Sequence, residues 1–387
     1  MRVTMLVRNT FTHDSRVEKE ARSLTKAGHS VTVVAEVAGA LPEAESRDGY
    51  HVLRVARPLA RVPLLRFIAY RQRLVRELLR TRPEVLHAHD SDTLEPVAAA
   101  ARMLRIPFVY DAHELWLGQL RRGRSRPYWW VFLAYFWLVQ RLLVRRAAAV
   151  ITVSPLIARR LERAYHLARV HLVPNYPQAG GEAVPRDLRS LPGGEIIPVE
   201  APIVLYLGAI MPGRGIEELL AAMREVPGAH LVLLGYGFLL EQIRAQAHDL
   251  GLAERVHFLG PVPADEVVAY SASADVGVSP LLASAPSYAL SLPNKLFQYM
   301  AAGLPVVASD LPQVRDIVEG NAAGICVDTS RPSLMAQALR SIIDDPAAAM
   351  RMGGAGREAV RLTYNWETAA GELLATYAEL QPRAHHA

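Results

Sequence analysis

The chain has 387 residues, of which 51% are hydrophobic and 21% charged, so its composition excludes a disordered protein and allows two domains of ordinary size. Its single cysteine, Cys326, excludes a disulfide within the chain. Together with an N-terminus that lacks a signal-peptide pattern, it leads us to expect a cytoplasmic protein. The formal net charge of +5 is carried almost wholly by arginine. The arginines cluster within 57–82 and 121–146, which suggests contact with an anionic surface, either nucleic acid or lipid headgroups, with solvated helix faces as the alternative.

Short apolar runs alternate with amphipathic helical stretches along the first half of the chain. A helix is predicted over Arg16–Ala27, closed by Gly28. Nearly continuous runs of Val, Ile and Leu bounded by turns indicate a parallel sheet that is covered on both faces. The predicted strands lie at 3–7, 31–35, 51–56, 85–88, 108–112, 150–154 and 170–174.

The same alternation resumes in the second half after an interruption. Residues 175–202 are rich in Pro and Gly and have no period, which predicts an interdomain linker. Further strands are predicted at 203–208, 230–235, 256–260, 275–280, 305–310 and 324–328, and the tail from Pro332 to Leu380 has a helical pattern. The predicted fold is therefore α/β, with two doubly wound, Rossmann-like domains at 1–174 and 203–363. Their ligands are expected beyond the carboxyl ends of the strands, in a cleft between the two facing sheets.

The first strand-to-helix loop of the second domain is the predicted phosphate site. Its sequence, "LGAIMPGRGIEEL", places Gly208, Gly213 and Gly215 around Arg214 where a helix begins, so that backbone N–H groups, the helix start and a full positive charge can meet one anion. A simple tight turn is the alternative explanation of these glycines. The corresponding loop of the first domain, "RNTFTHDS", has no glycine, so the dinucleotide fingerprint is absent there.

Lys295 is one of only three lysines, and it supplies a second candidate cation. In "LPNKLFQYM" a helix is predicted to begin after Pro293, with Asn294 and Lys295 in its first turn. A cation there opposes the helix dipole unless an anion binds nearby. Against a diphosphate at about 4 Å, each charge pair contributes about 4 kcal/mol at an effective dielectric near 20. Gln298, one turn later, can face the same ligand.

Polar side chains follow two neighbouring predicted strands of the first domain. They are Asp111, His113 and Glu114 in "YDAHELW" and His87, His89 and Asp90 in "HAHDSD". Because His113 lies beyond the carboxyl end of its strand, we predict that it faces a ligand. His13 and Asp14, in the first loop, can reach the same cleft. Metal binding by these groups is a minor alternative, since none of the spacings matches a strong metal-ligand motif.

Residues 127–139, "PYWWVFLAYFWLV", are apolar throughout but too few to span a bilayer, which needs about 20 residues. Arginines cluster on both sides, and a second arginine-rich segment runs over 57–82. This pattern predicts peripheral membrane contact through 121–146 and 57–82. A helix buried in the protein is the alternative. The basic segments contain no recognised nucleic-acid module, so we do not expect a nucleic-acid partner.

The order of several motifs resembles that of family 4 glycosyltransferases over nearly the whole chain. The matching segments are "DSRVEKEARSLTKAGHSVTVVA", "VITVS", "VPN", "GRGIEELL", "RVHFLG", "PNKLFQYMAAGLPVVASD" and "YNWE". The resemblance implies the GT-B fold, with an acceptor-binding N-terminal domain and a C-terminal domain that holds a nucleotide-diphosphate sugar. It also implies that a final helix at 364–381 packs back on the N-terminal domain, and that neither a metal ion nor a cofactor is needed.

The resemblance assigns roles to individual residues. Arg214 and Lys295 match the family's two cations at the donor diphosphate, and His113 matches a histidine that contacts the donor sugar. Glu114 would lie on the acceptor side with His13 and Asp14. The wider donor site implied by the resemblance consists of Gly208, Gly213, Gly215, Gly235, Gly237, Gly260, Pro261, Leu290, Asn294 and Gln298.

Three positions depart from the family pattern. Leu290 and Gln298 stand where many members carry a pair of glutamates, and Ala209 replaces the usual arginine. A glutamine can partly replace the second glutamate as a partner of the ribose hydroxyls. The first glutamate has no side-chain substitute here.

The implied activity is retaining transfer of a sugar by front-face attack, with a UDP-sugar as the favoured donor and a GDP-sugar as the alternative. The implied acceptor is lipid-linked or a glycan, in cell-surface polysaccharide or glycolipid assembly. Two other functions remain open: a sugar-nucleotide epimerase or hydrolase of the same fold, and a non-catalytic scaffold that binds nucleotide sugars.

Overall fold

The computed structural model describes residues 1–12, 14–58, 62–113, 128–179, 184–283, 286–290 and 292–380. The chain divides into two compact units. The first comprises Met1–Asn175 and the chain from Ala369 onward, and the second comprises Tyr176–Thr368. Each unit is built around a largely or wholly parallel β-sheet.

The strands of the first unit are β1 (Arg2–Leu6), β2 (Ser30–Glu36), β3 (Ala44–Arg47), β4 (Tyr50–Val55), β5 (Val85–His89), β6 (Phe108–Ala112), β7 (Ala149–Thr152) and β8 (His171–Leu172). Their order in the sheet is β3-β4-β2-β1-β5-β6-β7-β8, and only the β3–β4 pair among the described strands is antiparallel. The sequence pattern missed β3, because "AESR" is polar and lies at the edge of the sheet, where no continuous apolar run is required.

The helices of the first unit are α1 (Ser15–Lys26), α2 (Pro63–Arg80), α3 (Ser91–Leu104), α4 (Tyr128–Leu143) and α5 (Pro155–Tyr165). Helix α1 begins after Asp14, whose carboxylate accepts a hydrogen bond from the Val17 N–H at 3.2 Å, the usual N-cap arrangement. Arg16, Val17, Glu20, Ala21 and Leu24 form the buried face of this helix, so two charged side chains are placed on the face that packs against the sheet.

The second unit contains the strands β9 (Ile203–Leu207), β10 (His230–Leu234), β11 (Val256–Phe258), β12 (Val276–Ser279), β13 (Val306–Ser309) and β14 (Gly324–Val327). All neighbours are parallel, in the order β11-β10-β9-β12-β13-β14. This is the doubly wound order 3-2-1-4-5-6, which reverses between β9 and β12. The first unit has the same central order and reverses between β1 and β5.

The helices of the second unit are α6 (Ile216–Met223), α7 (Leu240–Asp249), α8 (Val267–Ser271), α9 (Pro286–Ala289), α10 (Asn294–Ala302), α11 (Pro312–Val318), α12 (Pro332–Ile343) and α13 (Pro346–Leu362). Two clusters of buried apolar side chains, built from alternate residues of the strands, form the core. Such a sheet, covered on both faces, accounts for the nearly continuous apolar runs in the sequence.

The segment expected to be a linker is part of the second unit instead. This unit starts at Tyr176, and Leu188 and Ile197 are buried in its core beside Leu205 and Phe297. The Pro and Gly content marks an irregular backbone, but irregular chain can still bury individual apolar side chains. In the residues that the structure describes, the predicted interdomain linker over 175–202 therefore packs with the second unit from Tyr176 onward.

The last helix, α14 (Trp366–Glu379), joins the first unit from Ala369 onward. Tyr377 is fully buried there, and its hydroxyl lies 2.9 Å from Nδ1 of His87 on β5. Within the described part of the chain, no helix has the length and apolarity that a membrane crossing would need.

Candidate active site

The glycine-containing loop after β9 has the backbone that the sequence suggests. Gly208, Gly213 and Gly215 all have positive φ, and Gly215 directly precedes α6. A Cβ on Gly215 would lie 1.8 Å from the carbonyl oxygen of Pro280. Glycine is therefore required at Gly215 both by conformation and by space. The loop lies at the carboxyl end of the strand where the sheet order reverses, which is the usual ligand-binding position in such folds.

Lys295 lies at this loop because of how α10 is held on the sheet. The helix begins at Asn294 after Pro293, as predicted. On its buried face the Tyr299 hydroxyl accepts a hydrogen bond from the Leu207 N–H at 2.8 Å and lies 3.0 Å from the Leu205 carbonyl. These contacts hold α10 against the end of β9.

The ammonium group of Lys295 is placed over an aromatic ring. Its Nζ is 3.5 Å from the ring centroid of Tyr206, and the same atom would lie 3.9 Å from a Cβ on Gly208. Burial, and then the positive charge of Arg214, lower the pKa of Lys295 well below its usual value. A cation–π contact offsets part of the lost hydration.

Arg214 is the second cation. Its guanidinium lies 5.0 Å from the ring centroid of Tyr288, and its Nε is buried without a hydrogen-bond partner among the described residues. Neither Arg214 nor Lys295 forms an ion pair with a carboxylate in the described ranges. Two neighbouring cations without a carboxylate partner in the described ranges fit the phosphate site that the sequence predicts, and anion binding there stays a prediction.

The other predicted donor-site residues surround this loop in part. Gly235 and Gly237 brace it backbone to backbone, since a Cβ on Gly235 would lie 2.1 Å from the Gly208 carbonyl oxygen and one on Gly237 would lie 2.0 Å from that of Ile210. The turn that they form carries two exposed aromatic side chains, Tyr236 and Phe238, which sequence reasoning did not single out.

For the remaining predicted donor-site positions, no contact with Arg214 or Lys295 is described. Gly260 and Pro261 follow β11, two strands away from β9, and no described atom lies within 4 Å of a Cβ on Gly260. Leu290 accepts a hydrogen bond from Gln313 through its backbone carbonyl at 2.9 Å. Asn294 is exposed and Gln298 is half-buried on α10. Their contact with a donor stays a prediction.

A polar cluster occupies the carboxyl ends of β5 and β6 in the first unit, where the sequence predicted one. The parallel register places His89 opposite Asp111. Nε2 of His113 lies 2.8 Å from Oδ2 of Asp111, and its Nδ1 lies 3.1 Å from Oδ2 of Asp90. The His113 backbone N–H also donates to Oδ1 of Asp90 at 3.2 Å.

Arg16, on α1, binds the Asp111 carboxylate of this cluster. Its Nε and Nη2 donate to the two carboxylate oxygens at 2.9 and 2.8 Å, and both side chains are buried. Burial by itself raises the pKa of Asp111, but the charges of Arg16 and His113 outweigh it and hold the pKa well below its usual value. Burial likewise opposes the charge of His113, yet Asp90 and Asp111 raise its pKa well above the usual value.

Sequence reasoning missed Arg16, Glu20 and Tyr377 as members of this cluster. Glu20 is fully buried, 3.1 Å from Arg16, and burial raises its pKa to about 7. A signal for two of them was present in the sequence, because Arg16 and Glu20 are one turn apart and share the helical face of Val17 and Leu24. Nothing local connects Tyr377 with His87.

Four of these groups could surround a metal ion by distance alone. Glu20, His87, His89 and Asp111 each offer one ligand atom within 4.8 Å of the others. However, Asp111 already binds Arg16 and His113, Nδ1 of His87 already binds Tyr377, and the Arg16 guanidinium adjoins both carboxylates. The rings of His87 and His89 also stack at 4.2 Å. The described contacts form a hydrogen-bonded ion-pair network, and the absence of a metal ion from it stays a prediction.

Three acceptor-side predictions have different outcomes. His13 and Glu114 lie outside the described residues. Asp14 caps α1 and also accepts a hydrogen bond from the Asn9 side chain at 2.8 Å. A contact between Asp14 and an acceptor stays a prediction.

Two family models match the chain. The model described as Glycosyltransferase Family 4 matches residues 15–176, and the model described as Glycosyl transferases group 1 matches residues 201–345. Together they span most of the chain, including the His113 cluster in the first unit and the loop with Arg214 and Lys295 in the second.

A curated relative is the GDP-mannose-dependent alpha-(1-6)-phosphatidylinositol monomannoside mannosyltransferase of Mycobacterium tuberculosis (strain CDC 1551 / Oshkosh). It is 35% identical over 179 residues, which cover 45% of this chain and 46% of that protein. The match therefore spans less than half of the relative's own length.

Solved structures match over almost the full length. Sucrose-phosphate synthase from Thermosynechococcus elongatus superposes with a TM-score of 0.78 at 21% identity and covers 98% of this chain and 99% of its own. HepE from Anabaena, solved in complex with UDP and glucose, gives a TM-score of 0.76 at 17% identity over 98% of this chain and 100% of its own. At these identities the likeness establishes the fold. The chain belongs to glycosyltransferase family 4 and has the two-domain α/β architecture of the GT-B fold.

Proposed function

We propose that the protein is a retaining glycosyltransferase that moves a sugar from a nucleotide-diphosphate donor to a lipid-linked or glycan acceptor, without a metal ion. The observation that carries this proposal is the pair of cations at the glycine loop after β9. Arg214 and Lys295 are partly buried, the charge of Arg214 lowers the pKa of Lys295, and neither has a carboxylate partner among the described residues. A diphosphate supplies the missing negative charge.

The two cations also suit the chemical step. When the bond between the sugar and the diphosphate breaks, negative charge grows on the leaving phosphate oxygen. Arg214 and Lys295 stabilise that charge without reorganising, since packing against Tyr288 and Tyr206 already holds them in place. A leaving phosphate oxygen can take the proton of the acceptor hydroxyl on the same face, which retains the configuration of the transferred sugar.

The donor is a UDP-sugar or a GDP-sugar. The mycobacterial relative is named for GDP-mannose, and HepE was solved with UDP and glucose, so GDP-mannose and UDP-glucose are the first two donors to test. The name of the same relative motivates a glycolipid acceptor for this chain.

A surface of the first unit fits a lipid-linked acceptor. Helices α2 and α4 touch through Phe67 and Tyr135, whose ring centroids are 5.7 Å apart. The exposed apolar side chains on and beside the two helices are Val62, Leu64, Leu65, Ile68, Trp137, Leu138 and Leu142. Exposed arginines, such as Arg66, Arg73 and Arg141, lie among them. Apolar side chains interleaved with cations are typical of an interfacial surface, so we propose that this surface contacts anionic lipid.

A transfer assay tests the function. The protein is incubated with each labelled donor, with and without a bacterial lipid extract, and with and without EDTA. We expect label to enter the lipid fraction only with one class of donor, at an unchanged rate in EDTA. Donor turnover that proceeds equally well without an acceptor would instead identify an epimerase or hydrolase. Loss of transfer in EDTA, restored by added metal, would refute the metal-independent mechanism.

A further inference from the structure

The imidazole of His113 is held by a carboxylate on each of its two nitrogens. Nε2 is 2.8 Å from Asp111, and Nδ1 is 3.1 Å from Asp90. A neutral imidazole has one N–H group and one lone pair, so it can donate only one of these hydrogen bonds and would turn a lone pair towards the other carboxylate. Only the imidazolium, with two N–H groups, satisfies both contacts.

The charges around the ring are balanced in that state. Three elements contribute titratable groups to the site. Strand β5 and the residue after it contribute His87, His89 and Asp90, and strand β6 contributes Asp111. Helix α1 contributes Arg16 and Glu20. Arg16 and His113 are then the two cations, against the two anions Asp90 and Asp111. Burial lowers the pKa of His87 well below its usual value, so this ring adds no charge near neutral pH. Burial raises the pKa of Glu20 to about 7, so this carboxyl is partly ionised near neutral pH, and its charge then lies 3.1 Å from Arg16.

Asp90 is the carboxylate that decides the charge of His113. Asp111 already accepts two hydrogen bonds from Arg16, whereas the Asp90 carboxylate contacts only His113, through the ring and the backbone N–H, in the hydrogen bonds described here. Asp90 has φ 63° and ψ 169°, a backbone conformation that is essentially restricted to glycine. Such a conformation persists only when its surroundings impose it, and the two contacts with His113 do so, together with the hydrogen bond from the Asp90 N–H to the Asp111 carbonyl at 2.9 Å.

We propose that Asp90 is a positioning residue that, with Asp111, holds His113 as a permanent imidazolium, so that His113 presents a fixed positive charge to the reaction and does not act as a general base. Because both N–H groups are occupied, the acceptor proton has to go elsewhere. This inference rests on the proposed function for its catalytic part, but the charge of His113 can be measured without any activity.

The test is an NMR titration of the histidine rings, with the His113 signal assigned by its loss in His113→Gln. In the wild-type protein we expect His113 to stay doubly protonated from pH 6 to pH 9. In Asp90→Asn, which keeps a hydrogen-bond acceptor but removes the charge, we expect the proton affinity of His113 to fall more than tenfold. Asp92→Asn is the matched control, because Asp92 is a neighbouring carboxylate that pairs with Arg8 at 3.7 Å and not with His113, and it should change that affinity less than threefold.

The pH dependence of kcat supplies the second arm. Removing the Asp90 charge lowers the folded-state pKa of His113, so the cation is lost as the pH rises through that lowered value. The kcat of Asp90→Asn should therefore decline with rising pH where the wild-type kcat does not. If Asp90→Asn does not fold, Asp90→Gly replaces it, since glycine accepts this backbone conformation.

Each result decides a different part of the proposal. Titration of wild-type His113 near its ordinary pKa overturns the permanent charge, whether or not the protein transfers sugar. A lowered proton affinity in Asp90→Asn with an unchanged pH profile of kcat overturns the positioning role. Absence of transfer from every donor, with His113 still doubly protonated, overturns the proposed function and leaves the charge of His113 established.

Discussion

Lys295 and His113 are partly buried ionisable side chains whose pKa values are shifted in opposite directions. Lys295 packs on the ring of Tyr206 with Arg214 nearby. Burial, and then the positive charge of Arg214, lower its pKa. His113 has two carboxylates, which raise its pKa against the effect of burial. A site that must receive a diphosphate gains from the first arrangement, because the ligand brings the missing counter-charge. A residue that must not exchange protons gains from the second.

Removing the Lys295 ammonium should lower the rate of catalysis. We expect Lys295→Ala to lower kcat about a hundredfold or more, since it deletes a fixed charge at the leaving phosphate. Lys26→Ala is the control, because Lys26 is exposed at the end of α1. Initial rates at saturating donor measure the effect, and equal rates in the two variants would contradict the assignment.

Binding of a nucleoside diphosphate should take up a proton at Lys295. In the empty site burial lowers the pKa of Lys295, so part of the protein carries a neutral amine at alkaline pH; the bound diphosphate favours the charged form and raises the pKa again. Affinity should therefore fall as the pH rises through the lowered pKa. Titration calorimetry in buffers of different ionisation enthalpy measures the protons taken up.

Lys295→Arg separates this linkage from the charge itself. Arginine stays protonated throughout the accessible pH range, so this variant should still bind UDP or GDP but take up no proton on doing so. Equal proton uptake by the wild-type protein and Lys295→Arg would show that another group is responsible.

At the scale of elements, α4 combines features of the two alternatives that its sequence left open, a helix in contact with the membrane and a helix buried in the protein. Phe136 and Val139 are buried against the protein, whereas Trp137, Leu138 and Leu142 are about half exposed. Because neighbouring residues of a helix point in different directions, one apolar helix can pack on its own domain and still offer apolar side chains outwards. The side chains of 128–133 and all of 121–127 lie outside what the structure describes.

The apolar surface on α2 and α4 should bind anionic vesicles. We expect Leu65→Ser or Trp137→Ala to weaken binding about tenfold each, since burying a side chain of this size contributes about 1.5–3 kcal/mol. Leu362→Ser removes an equally exposed side chain from α13 in the second unit and should leave binding unchanged. Vesicle sedimentation with anionic and neutral lipids measures this, at two salt concentrations because the arginine contribution is screened by salt. Equal loss of binding in all three variants would exclude this surface as the docking site.

At the scale of the whole molecule, the two units share one type of sheet topology. Each sheet has a central strand order of the doubly wound type, and in each the polar cluster described above follows strands at or next to the point where the order reverses. The first unit places carboxylates and histidines there and the second places cations and glycines. This difference was visible in the sequence, where "HAHDSD" and "YDAHELW" carry the carboxylates and histidines of the first unit, and "LGAIMPGRGIEEL" and "LPNKLFQYM" carry the glycines and cations of the second.

The sequence by itself determined the apolar strands, the glycine loop and the start of α10, because burial on a sheet and helix capping leave local, periodic traces. β6, at Phe108–Ala112, has the bounds that its apolar run predicted. The polar edge strand β3 and the placement of 184–202 in the second core left no such trace.

Only the tertiary structure decided which charges meet. Arg16 and Asp111 are 95 residues apart, and Tyr377 and His87 are 290 apart, yet each pair is in direct contact. No periodicity links residues at such separations, because their contact depends on how helices pack on the sheet. The pKa of a group follows from those contacts. For that reason the sequence could place His113 and Lys295 at the ends of strands and helices, but the opposite shifts of their pKa values followed from the packing alone.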